Sequence, residues 1–203
     1  MTSHATKPLV LASASPRRRR LLAEAGVAFE VTPADLPEHA LAGEAPRALA
    51  ERLAAEKALH VARALGAESG RLVLGADTVV VLDGEALGKP DDAAHALRLL
   101  SRLVGRVHRV VTGVALVTIG DAAPRILSVE SEVHMRPASL DEIRVYVATG
   151  EPLDKAGAYA AQGQGRRFIE RIVGSETNVI GLPMEETLAL LRAAGLVPPR
   201  PAA

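Results

Sequence analysis

"RLVLGADTVVVLDGEALGKP", residues 71–90, holds two β-rich runs on either side of an Asp-Gly pair. Asp83 and Gly84 both tolerate positive φ, so this pair between extended segments predicts a tight hairpin. Two residues in the stretch carry chemistry. Asp77 and Lys89 are expected near the ends of the sheet elements, an acid and a base delivered by one hairpin.

Working outward, "PLVLAS" ahead of it is a short apolar run ending in a Ser/Pro turn, followed by helical composition to Ala25 and a stop at Gly26. Ser15 stands at the N-cap and Pro16 at the first helical position, where the missing N–H of proline costs nothing. "VAFEVT" reads as a strand. A Pro- and Gly-containing connection over 33–45 leads to a long helix over 46–66, with Leu49, Leu53, His60, Val61 and Ala64 recurring near helical spacing. Downstream of the hairpin, 91–104 reads as a helix. "VHRVVTGVALVTI" and "RILSVESEVHM" read as two strands around Gly120-Asp121. "SLDEIRVYVATG" opens on a Ser-x-x-Glu capping box and closes at Gly150. A loop, "EPLDKAGAYAAQGQG", then precedes the strand "RFIERIV", and "NVIGLP" turns into a final helix. Helices and hairpins mixed in this way predict an α/β fold on a mixed sheet, with residues 1–203 as a single domain.

The 203 residues balance 24 Lys and Arg against 24 Asp and Glu, so no global field exists to hold nucleic acid or an acidic membrane. Any anion site must be local. Aromatics make up 2% and Trp is absent, which removes the stacking platforms of single-strand binders and leaves small aliphatics to fill the core. The absence of cysteine excludes disulfides, thiolate metal sites and a thiol nucleophile. "MTSHATKP" lacks the apolar core of a signal peptide, and no apolar run approaches ~18 residues. The expectation is a cytoplasmic protein with neither a membrane nor a nucleic-acid partner.

Three constellations could carry chemistry. In "SASPRRRR" the helix N-terminus offers unpaired N–H groups and a positive dipole to a phosphate, with Ser13 and Ser15 in the turn. Successive helix residues rotate by ~100°, so one ligand meets about two of the four arginines. Arg17 and Arg18 are the candidates, while Arg19 and Arg20 read as solvated side chains. The bland alternative is a basic surface helix throughout. In "GADTVV…GKP", Asp77 is either a turn former, a ligand to hydrated Mg²⁺ or a proton acceptor for attacking water, and Lys89 would neutralise phosphate. The third set, Asp154, Lys155 and Gln162, lies in the Gly-rich loop. Glu38 and Lys57, taken singly, read as exposed charges. The six histidines show no zinc-binding spacing, the Walker A and dinucleotide fingerprints are missing, and Ser13 and Ser15 occupy no Gly-x-Ser-x-Gly elbow.

Taken in order, "LASASPRR", Glu38, "AEKA" at Lys57, "GADTVV" at Asp77, "GKP" at Lys89, "DKAGAYAAQG" and "GLP" resemble the Maf nucleotide pyrophosphatases of the Maf/inosine-triphosphatase superfamily, over nearly the whole chain. The resemblance implies an elongated, twisted mixed sheet flanked by helices, in two lobes with a central cleft. It also implies hydrolysis of a nucleoside triphosphate to the monophosphate and pyrophosphate with Mg²⁺ or Mn²⁺. Asp77 matches the family's proton acceptor, and Asp77 and Glu38 are the candidate metal ligands. Arg18, Lys57 and Lys89 would balance charge. Arg17, Thr78 and Gln162 match the positions tied to substrate choice in the dTTP/UTP-cleaving branch, although Ala161 replaces that branch's bulkier aliphatic residue. A homodimer is the default expectation. The alternative is a nucleotide-sensing regulator of septum formation with little turnover. The acids Glu38, Asp77 and Asp154 weigh against it, because a pure triphosphate binder gains nothing from carboxylates unless a cation intervenes.

Overall fold

The computed structural model describes residues 8–66, 70–121 and 123–196. Strands β1 (Leu9–Leu11), β2 (Phe29–Val31), β3 (Leu72–Leu82), β4 (Glu85–Leu87), β5 (Val107–Thr118), β6 (Arg125–Met135) and β7 (Ile169–Val173) form one sheet. Around it lie α1 (Pro16–Glu24), α2 (Pro46–Ala64), α3 (Ala93–Leu103), α4 (Leu140–Val147), α5 (Glu176–Ile180) and α6 (Met184–Ala193). The strand order is β2-β1-β3-β5-β6-β7, with β4 also on β3. β1 runs parallel to β2 and β3, whereas every pairing from β3 to β7 is antiparallel. The mixed α/β sheet expected from the sequence is the architecture found.

Local chemistry explains the element ends. Asp83 and Gly84 turn β3 into β4 with φ of 53° and 84°, the left-handed pair that a two-residue hairpin requires. Ser15 caps α1, Asp92 caps α3, and Ser139 with Glu142 closes the capping box of α4. Three expectations need correction. Asp77 sits in the middle of β3, an 11-residue strand, and not at a sheet end. "NVI" is helical, because the Ser175 side chain accepts from Asn178 N and starts α5 there. The buried face of α2 excludes His60 and Ala64 and is built instead from Leu49, Ala50, Leu53, Ala54, Lys57, Ala58 and Val61.

That alanine stripe sets how closely α2 approaches the sheet. A Cβ at Gly75 would overlap the Ala54 carbonyl oxygen, and one at Gly113 would overlap that of Ala50. Two glycines and three small residues thus bring helix and sheet backbones together where a larger pair would hold them apart. Gly113 pairs directly with Asp77 across β3 and β5, so both glycines share the face of Asp77. Val73, Val79 and Val111 complete this face, while Leu74, Val80, Val110 and Leu116 belong to the larger core on the other side.

β3 has different neighbours along its length. β5 accompanies it over Leu72–Val81, but on the opposite edge β1 pairs only with Val73 and Leu74, and β4 only with Val80 to Leu82. Among the described residues, positions 75–79 have no strand beside them on that edge. The sheet is split there, and the two side chains at the split, Asp77 and Thr78, face opposite sides of it.

Candidate active site

A cleft of about 840 Å³ opens at this split. Its walls come from the turn after β1 (Ser13 to Arg18), the 33–45 connection (Glu38, His39), α2 (Lys57), the hairpin end (Gly88, Lys89), the 154–161 segment and α5 with Gly181. Of the twelve residues singled out in the sequence, eleven line it. Gln162 is the exception: it is half-buried, one position beyond the wall residues Tyr159, Ala160 and Ala161.

On the α2 face, acids and bases alternate. Lys57 Nζ lies 2.6 Å from Asp77 Oδ1 and 2.5 Å from Glu38 Oε1, and Lys89 Nζ lies 2.6 Å from Glu38 Oε2. Lys57 is only 6% exposed, so its reading as a surface charge does not hold. The close packing of α2 over Gly75 and Gly113 holds that ammonium inside, where two carboxylates compensate it. The two acids are driven apart electrostatically. Burial, the largest influence on Asp77, raises its pKa above the usual carboxylate value against the pull of Lys57 and Arg18. Burial also acts on the more open Glu38, but hydrogen bonds from Lys57 and Lys89 outweigh it and hold that group down at about 2.

On the opposite face the leading group is Arg18. Helix geometry sends Arg18 inward with Leu21 and Leu22, leaves Arg17 half-buried at the cleft, and turns Arg19 and Arg20 to solvent. Arg18 donates from Nε to Gly181 O (2.8 Å), from one terminal nitrogen to Ser13 Oγ (3.1 Å) and from the other to Thr78 Oγ1 (3.1 Å). A polar chain that the sequence reading missed continues beneath it. Thr78 Oγ1 meets Thr112 Oγ1 at 3.0 Å, Thr112 donates to Asn178 O, and Asn178 Nδ2 donates to Val110 O and Ser131 Oγ. The one signal for it was the "GLP" motif, whose Gly181 adopts φ 126° and presents the carbonyl that Arg18 uses.

The glycine-rich segment is not an open loop but three short 3₁₀ turns, Glu151–Asp154, Ala156–Ala158 and Gly163–Phe168. Glu151 organises them. Its carboxylate accepts from Tyr146 Oη (2.8 Å), Gly165 N (2.9 Å) and Gln164 N (3.0 Å), while Lys155 Nζ reaches its backbone carbonyl. At the rim, Asp154 stands 2.5 Å from Lys155 and 3.6 Å from Arg17. Deeper in, Tyr159 Oη meets His108 Nε2 at 2.7 Å. Glu151 heads the loop singled out in the sequence without having been named itself, and His108 carried no signal beyond its residue type.

Among the described residues no three His, Asp or Glu side chains gather as a cation cage, and no helix is long and apolar enough to cross a membrane. The donor set that does converge, two carboxylates with one ammonium between them, fits a hard divalent cation of the kind held by one or two carboxylates together with substrate phosphates.

A family model described as Maf-like protein matches residues 8–194, from β1 to α6. Similar proteins include the dTTP/UTP pyrophosphatase of Geobacter metallireducens, 50% identical over 187 residues that cover 92% of this chain and 96% of that one. Those of Anaeromyxobacter dehalogenans strain 2CP-1 (52% over 189 residues, covering 92% and 94%) and Myxococcus xanthus (51% over 188 residues, covering 93% of each) are alike to the same degree. With the matched region containing every strand and helix that builds the cleft, and half of its residues shared with these relatives, the chain belongs to the Maf-like protein family.

Proposed function

We propose that this protein is a nucleoside triphosphate pyrophosphatase acting on dTTP and UTP, releasing the monophosphate and pyrophosphate. The observation that carries the reading is Lys57 held between Glu38 and Asp77 at a break in the sheet, with Lys89 completing the row. The names of the half-identical relatives supply the substrate class.

In this reading the triphosphate lies across the split edge of β3. The α1 N-terminus and Arg17 meet phosphate oxygens, Lys57 and Lys89 exchange carboxylate partners for phosphate, and Thr78 and Arg18 border the base end. Asp77 is the better proton acceptor because burial raises its affinity for a proton, while Glu38 stays ionised. Water adds to the α-phosphorus, its proton passes to Asp77, and the α–β bridging P–O bond breaks with pyrophosphate leaving. Glu38 and Asp77 would hold a divalent cation, which when bound neutralises charge developing on the phosphate oxygens. Ser13, Ser15, Asp154, Lys155 and Gln162 are assigned to substrate contacts. Of these, Gln162 stands one position beyond the wall residues Ala160 and Ala161. The same reading makes residues 1–203 one functional unit working on the cytoplasmic nucleotide pool.

The test is incubation with a nucleotide panel and Mg²⁺, resolving pyrophosphate from orthophosphate. Pyrophosphate from dTTP and UTP ahead of CTP and 7-methyl-GTP is the expected outcome. Tight binding of these nucleotides with no product would favour the regulator instead.

A further inference from the structure

Glu38 lies on a connection without regular secondary structure, yet its carboxylate reaches two lysines from different elements. Something must hold that connection in place. Arg52, on the face of α2 away from the sheet, makes five hydrogen bonds. Nε donates to Glu44 Oε1 (2.7 Å), and one terminal nitrogen donates to Glu44 Oε2 (2.7 Å) and to the backbone carbonyl of His39 (2.9 Å). The other meets both Glu56 oxygens at 3.1 Å. Glu44 in turn accepts from Leu41 N at 3.0 Å. The guanidinium therefore grips the far end of the connection and the carbonyl of His39, the residue that follows Glu38, at the same time.

Building on the pyrophosphatase reading, we infer that Arg52 is a positioning residue for the cation site: by clasping Glu44 and the His39 carbonyl it sets Glu38 at the distance where its carboxylate joins that of Asp77. The geometry calls for arginine. A guanidinium presents a planar fork that engages a carboxylate through two nitrogens and still has a donor for a carbonyl, whereas a lysine ammonium at that place keeps the charge and loses the fork. Arg52 is absent from the residues lining the cleft, so its effect on the site passes through the backbone at His39.

Mn²⁺ binding tests this. The whole protein is titrated with Mn²⁺ in the presence of a saturating α,β-imido analogue of dUTP, and the bound ion is counted by EPR. Arg52→Lys and Glu44→Gln should each weaken Mn²⁺ by about tenfold, the scale seen when a group orienting a metal ligand is removed. Glu38→Gln should weaken it at least as much, and the Arg52→Lys/Glu38→Gln double variant should bind no worse than Glu38→Gln alone, because both changes act through one carboxylate. Glu44→Gln leaves the arginine in place and keeps the test open should Arg52→Lys fold poorly. Wild-type affinity in Arg52→Lys and Glu44→Gln overturns the inference, as do losses that multiply in the double variant or a Glu38→Gln protein that binds Mn²⁺ normally. A wild-type protein that releases no pyrophosphate from any triphosphate would instead sink the functional reading, and the Mn²⁺ cycle would still judge Arg52.

Discussion

Asp77 and Glu38 share one lysine, yet they should answer differently to pH and to mutation. Because burial raises the pKa of Asp77 in the cation-free protein, the acid limb of the kcat/KM profile measured at low Mg²⁺ should fall above the ordinary carboxylate range, with activity lost as pH drops and Asp77 takes up its proton. Asp77→Asn keeps the shape and removes the charge, so turnover should fall by ~10²- to 10⁴-fold with the far-UV circular dichroism unchanged. Near-normal turnover in that variant would take Asp77 out of the chemistry. The arginine run divides by the same kind of reasoning. Arg17→Ala and Arg18→Ala should lower kcat/KM, and Arg18→Ala should lower the melting temperature as well, because it leaves Gly181 O, Ser13 and Thr78 without their buried donor. Arg19→Ala should do neither, since Arg19 faces solvent. A loss in Arg19→Ala equal to that in Arg17→Ala would contradict the orientation of α1.

At the scale of elements, the contact between α2 and the sheet joins stability to function. Gly113→Ala puts a methyl group into the Ala50 carbonyl oxygen, and backbone on both sides leaves no flexible side chain to yield. The helix must lift, at a cost of about 1 to 3 kcal/mol, and Lys57 lifts with it away from Asp77. Chemical denaturation and steady-state kinetics should therefore both register the change. Full activity alongside lost stability would show that Lys57 reaches Asp77 without close packing. Gly88→Ala is the control for stability, since no atom lies within 4 Å of an added Cβ and its φ is not positive.

Across the whole molecule, acid stability should carry the mark of one buried imidazole. Burial pushes His108 down to about 4, with His134 adding to the depression, whereas the unfolded chain takes up that proton near 6.5. The unfolded state thus binds more protons between about pH 6.5 and pH 4, so stability declines as pH falls through this window, by as much as about 3 kcal/mol. Urea midpoints measured from pH 7 to pH 4 should show the decline, and His108→Gln should flatten it. An unchanged slope in the variant would assign the acid sensitivity to other groups.

Much of this was legible in the residues themselves, where the physics is local. Asp83-Gly84, the Ser139 capping box, the Ser15-Pro16 start and the glycine stops depend on the backbone preferences of a few neighbouring residues, and those elements formed where the sequence put them. The ordered motifs, too, named residues that line one cleft although they are scattered from Ser13 to Lys155. What the sequence could not contain was any quantity set by distant segments meeting. Asp77 was expected near a strand end because the hairpin was the only visible landmark, whereas its place at mid-strand becomes a cleft only because β1 stops short and β4 begins late on the same edge. Lys57 read as an exposed charge because burial of an ammonium depends on Gly75, Gly113 and two carboxylates from other elements. Residue type and spacing determined the elements and the chemistry they could offer; the packing of helix on sheet decided which charges meet, because burial and electrostatic partnership are properties of three-dimensional neighbourhoods.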